Sequence, residues 1–118
     1  MGRNIPNSGT VTDHMMNEFI KSDIMPLFEY GTFIDGEGFW KGEFEKTKIF
    51  YIELEDKEVL DAMPKFEAIA AAYKRAFRQE AVMISTVETH YAFTWRPNNS
   101  ENLLRNTGGS SPVAAAII

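Results

Sequence analysis

The stretch Lys46-Thr47-Lys48-Ile49-Phe50-Tyr51-Ile52-Glu53-Leu54 decides the fold. Phe50, Ile52 and Leu54 fall on one face of an extended chain, with Lys48, Tyr51 and Glu53 among the polar members, the period-two pattern of a half-buried strand. Moving outward toward the N-terminus, Gly31 to Ile34 predicts another strand, Asp35-Gly36-Glu37-Gly38 a tight turn, and Phe39-Trp40-Lys41-Gly42 the start of the returning strand. Further upstream, Thr12 is a good N-cap with Asp13 behind it in the first turn. Met15, Met16, Phe19, Ile20 and Ile24 then recur at helical spacing until Pro26. The residues before Thr12 are rich in turn formers and read as a lead-in with at most a stub of strand.

Moving outward toward the C-terminus, the acidic Glu55-Asp56-Lys57-Glu58 precedes a second helix. Phe66, Ile69, Ala70, Tyr73 and Phe77 form its buried stripe, and Pro64 suits its first turn. Ala81 to Val87 reads as a buried strand, which Thr89 to Trp95 continues or pairs with. This order is most of a ferredoxin-like βαββαβ sandwich, an α+β fold in which an antiparallel sheet carries two helices on one face. Residues 1–96 form that single domain, and 97–118 are a C-terminal loop and tail. The place of the first strand falls to the N-terminal stub, to the apolar Val113 to Ile118, or to another subunit. An unfilled sheet position of this kind favours a trimer or dimer over a monomer.

Composition narrows the function classes. The chain has 118 residues, which excludes a second full domain. Twelve Lys and Arg against 17 Asp and Glu give a net charge of -5, without the basic stripe of a nucleic-acid binder. The absence of cysteine removes disulfides, thiolate nucleophiles and thiolate metal sites. No apolar run approaches the length of a membrane helix, and a cytoplasmic protein is expected. Neither a glycine-rich phosphate loop nor a hydrolase elbow is present.

Three carboxylates stand out. Glu43 and Glu45 share a face where the hairpin passes into the strong strand, and Glu88 sits near the end of the strand begun at Ala81. Their plainest reading is solvated strand-end charge, weighed against a catalytic set. His14 and Glu18, four apart on the first helix, are a sparse candidate for a metal-dependent hydrolase.

Three blocks carry a resemblance: Gly38 to Thr47, Phe77 to Ile84, and Glu88-Thr89-His90. In that order they resemble the small phage-encoded S-adenosylmethionine (SAM) lyases, formerly called SAM hydrolases. The resemblance implies cleavage of SAM to 5'-methylthioadenosine and homoserine lactone, without metal or cofactor. It also implies a homotrimer with substrate at subunit interfaces, and depletion of SAM against host restriction-modification in the host cytoplasm. Glu45 matches the family's essential carboxylate and Glu88 a second polar site position; Phe39, Trp40, Tyr51 and Tyr91 are the aromatic candidates for the substrate pocket. The chain departs from that family in having Phe39-Trp40 where a tyrosine is usual, in a longer span between Lys46 and Gln79 with Asp61 to Lys65 as the insertion, and in its first strand. Val11 to Trp40 and Tyr73 to Val82 also look like a family of uncharacterised bacterial domains of similar fold, which shares the strand-start glutamate and Gln-Glu-x-Val. The alternative function is therefore a non-catalytic oligomeric domain that binds a ligand or a protein.

Overall fold

In the computed structural model of the protein, residues 1–91 and 109–117 are described, Tyr91 and the last range by backbone alone. Helix α1 (Asp13–Phe19) begins where expected: the Thr12 Oγ1 accepts the Met15 N–H at 3.1 Å. It runs into a π-helical segment, Ile20–Ile24, and together they bury Met16, Phe19, Ile20 and Ile24.

Strands β1 (Thr32–Trp40) and β2 (Glu43–Glu53) pair antiparallel from Thr32↔Tyr51 to Trp40↔Glu43. Only Lys41 and Gly42 connect them, at φ 50° and 82°. Two successive left-handed residues match the twist of a tight hairpin, and the glycine adopts that backbone without penalty. The turn expected at Asp35 to Gly38 is therefore corrected: those residues lie inside β1, and the ribbon is longer at its far end than the glycines suggested.

Helix α2 (Asp56–Phe77) starts earlier than expected. Glu55 accepts the backbone N–H of Glu58, whose own side chain reaches back to the Glu55 N–H at 3.0 Å. This capping box turns the acidic connector into the first helical turn and leaves Pro64 inside the helix rather than at its start. Ala62, Phe66, Ile69, Ala70 and Tyr73 are buried, following the predicted stripe, and Arg78 closes the helix in a left-handed conformation.

Strands β3 (Met83–Tyr91) and β4 (Gly109–Ile117) complete a sheet of order β1-β2-β4-β3, with β4 antiparallel to both neighbours. The parallel pair β2 and β3, joined through α2, thus encloses β4 as a split β-α-β unit. The fold is α+β and of ferredoxin-like type. The place of the first strand is taken by β4, from the C-terminal end that is one of its three expected sources, so the chain order is αββαββ. The domain boundary expected at residue 96 is corrected, because residues 109–117 of the expected tail lie inside the sheet. Opposite the earlier part of β2, the same lane is filled by the N-terminus: Arg3 N–H donates to the Lys46 carbonyl at 3.0 Å and Lys48 N–H to the Met1 carbonyl at 2.9 Å. The buried strand expected from Ala81 to Val87 is also corrected. It is an edge strand with Met83 and Val87 more than half exposed, and only Val82 and Ile84 pack on the core. Of the continuation expected over Thr89 to Trp95, residues 92–95 lie outside the described residues.

The core lies between the helices and one sheet face. Phe50 and Ile52 are buried there, Phe33 stacks on Phe50 at 5.1 Å between centroids, and Phe66 of α2 meets Phe50 at 5.6 Å. Alternation sends the intervening residues of each strand to the opposite, helix-free face.

Candidate functional site

Glu45 lies on the helix-free face, opposite Gly38 in the register. Its side chain is half-buried because it folds over the N-terminal segment: Oε2 accepts the Asn4 N–H at 2.9 Å. A Cβ on Gly2 would come within 2.8 Å of Oε2 and 2.9 Å of Oε1, so the carboxylate fills the space that any other residue at position 2 would claim. Oε1 accepts no hydrogen bond from the described residues, and Gly38 opposite has open space where a side chain would stand.

The neighbouring side chains converge on the same segment. Thr47 Oγ1 donates to the Met1 carbonyl at 3.1 Å, Tyr73 Oη to the Gly2 carbonyl at 2.5 Å, and Gln79 Nε2 to the Asn4 carbonyl at 2.7 Å. Arg78 Nη2 donates to the Pro6 carbonyl at 3.1 Å. Asn4 is thus held on both sides, its N–H by Glu45 and its carbonyl by Gln79. Burial pushes the Tyr73 phenol up, with the Glu45 charge adding to the effect and Arg3 opposing it. Burial likewise lowers the Met1 ammonium to about 5, opposed by Glu45. The clamp formed by Thr47, Tyr73 and Gln79 was missed by sequence reasoning. Its one legible signal was the Tyr73 hydroxyl on an otherwise apolar stripe, since a buried phenol needs a partner.

The other candidates are spread over the sheet. Trp40 shares the Glu45 face, paired with Glu43, and is 73% exposed, with Lys41 Nζ 5.6 Å from its ring. Tyr51 is on that face too, six residues along β2 and so roughly 20 Å away; its hydroxyl donates to Glu53 Oε1 at 2.9 Å, which raises its pKa. Phe39 pairs with Phe44 on the other face, both largely exposed at the ribbon tip. Glu88 pairs with Pro112, one row beyond Val113↔Glu53. That places it roughly 30 Å along the sheet from Glu45, and on the opposite face, since it shares the parity of the helix-side Ile84. One chain therefore brings Trp40 near Glu45 and does not bring Glu88, Phe39 or Tyr51 there. Tyr91 ends β3, and its side chain lies outside the described residues.

His14 and Glu18 are both exposed on α1, and among the described residues no group of three or more His, Asp or Glu gathers to hold a metal. Concavities on the helix side include two of contrasting lining. An open groove of about 810 Å³ is lined by Ile24, Leu27, Phe28, Phe33, Phe50 and Lys65, among others. A charged cleft of about 530 Å³ is formed by Arg3, Asp13, Asp35, Gly36, Glu37, Lys46 and Thr47. In the cleft, Arg3 binds Asp13 at 2.7 Å and holds its carboxyl below the usual range, while Lys48 reaches Asp35 at 2.5 Å. Neither concavity is lined by Glu45.

Fold and site together define a small ferredoxin-like α+β domain in which the partly buried strand carboxylate Glu45 secures the N-terminal segment. The chain belongs to the family described as "Protein of unknown function (DUF3574)", whose model matches residues 1–93. The matched part ends before β4. No curated protein and no solved structure matches the chain. No helix of the described residues is long and apolar enough to cross a membrane.

Proposed function

We propose that the protein is a SAM lyase, releasing 5'-methylthioadenosine and L-homoserine lactone. The observation that carries this reading is the Glu45 carboxylate, fixed through Oε2 while Oε1 accepts no bond from the described residues, opposite a strand position without a side chain. Oε1 is suited to receive the substrate α-ammonium. With the amino-acid end anchored, the substrate's own carboxylate oxygen attacks Cγ as the C–S bond breaks. The bond pair goes to sulfur, turning the sulfonium into a neutral thioether, and no proton, metal or cofactor is consumed. Proximity supplies much of the rate when nucleophile and leaving group belong to one molecule, so few side chains are required. Trp40 on the same face offers a ring to the sulfonium. Loss of SAM from a host cell would starve its restriction-modification methyltransferases.

The test is incubation of purified protein with SAM in the absence of metal, followed by mass spectrometry. Homoserine lactone should precede homoserine. Glu45→Gln keeps an oxygen for the Asn4 N–H and removes the charge. It should therefore stay folded while turnover falls on the order of 100-fold or more. Untouched SAM in the presence of well-folded wild-type protein would sink the proposal. The separation of Glu88 from Glu45 favours the second reading, a non-catalytic domain that binds a ligand or a protein, and that result would select it.

A further inference from the structure

The two faces of the sheet divide charge in an unusual way. In a sheet with helices on one side, charges belong on the open side. Here the register pairs Asp35↔Lys48 and Glu37↔Lys46 take the helix-side positions, in the cleft beside α1. The middle of the helix-free face holds Gly36↔Thr47, Ile34↔Ile49 and Thr32↔Tyr51, and on β3 the positions of Met83, Ser85 and Val87. Ile34, Met83 and Val87 are 45%, 54% and 61% exposed. Among the described residues, carboxylates occur on this face only toward the ends of β2, at Glu43, Glu45 and Glu53, the last in the row of Val87. An uncharged, partly apolar centre with charges at its margin is the anatomy of a protein interface.

We infer that this face is where a second copy of the chain docks, sheet against sheet about a two-fold axis. Its size supports that occupant. The β1-β2 and β3-β4 ribbons are each about 30 Å long and about 10 Å wide, giving about 600 Å² in flat projection. Side-chain relief brings this toward the roughly 800 Å² per partner of a standard interface. Gly36 and Gly38 keep the β1 part of the face low, which lets a facing backbone approach closely. The same apposition covers Glu45 and Trp40, so the second copy would close the candidate site and exclude water from it. The docking does not depend on the lyase reading.

Sedimentation velocity of the full chain tests this at micromolar concentrations, by the apparent mass. The expected result is twice the 13.4 kDa monomer. Ile34→Lys and Val87→Lys, both at exposed positions, should each halve that mass while circular dichroism stays unchanged. Leu60→Lys, on the 84% exposed outer side of α2, should leave it intact. A wild-type chain that is monomeric to about 100 µM would overturn the inference. So would a trimer, or a dimer that neither face substitution dissociates.

Discussion

Gly2 and Glu45 illustrate how far a single residue can reach. The glycine leaves the space that the carboxylate occupies, and the carboxylate in turn secures Asn4. Gly2→Ala should lower stability by about 1–3 kcal/mol through overpacking. The same substitution in a Glu45→Ala background should cost much less, and thermal unfolding of the four proteins gives the coupling as a double-mutant cycle. Tyr73 is the second residue of this kind. Its folded-state pKa is raised above 10.0 by burial, so its contribution is fully present below pH 10 and is lost as pH rises beyond that. Wild-type protein should lose stability on alkaline titration above pH 10, and Tyr73→Phe should weaken that dependence. At neutral pH the variant should be about 1–2 kcal/mol less stable, because the Gly2 carbonyl loses its donor. Glu45 was legible in the sequence as a strand-end carboxylate. Its attachment to Asn4 was not, because that contact joins segments 41 residues apart.

Among the elements, α1 and β2 follow directly from local pattern: a capping threonine and helical spacing in one, strict alternation in the other. The limits of β1 and α2 differ because tertiary pairing and a capping box outweighed the strongest local punctuation. Gly36 and Gly38 pair in a ladder, and Pro64 sits within a 22-residue helix. A proline there removes an N–H bond to the Leu60 carbonyl, on a side where Leu60 itself faces water. Pro64→Ala should therefore stabilise the protein by about 1–3 kcal/mol, seen as a higher urea midpoint with an unchanged m-value.

For the whole molecule, β4 is the decisive piece. β3 has its ladder with β4, over rows from Met83↔Ile117 to Tyr91↔Gly109, and β4 in turn joins β2. Ending the chain after Trp95 should detach β3 and expose the apolar floor beneath α2. Cooperative thermal unfolding should disappear and β3 amides should lose hydrogen-exchange protection. A sharp transition retained by the truncated chain would mean that the sheet does not need this lane filled from the C-terminal end.

The sequence by itself determined the α+β class, the central strand and both helical stripes, since each depends on periodicity or spacing within one short segment. Glu45 stood out from Glu43 and Glu88 only through the family resemblance. Only the tertiary structure decided which segment fills the empty lane, where the ribbon turns and what Glu45 and Tyr73 touch. Those outcomes depend on non-local hydrogen bonds and on competition between segments for one sheet edge, and neither leaves a local signature in the chain.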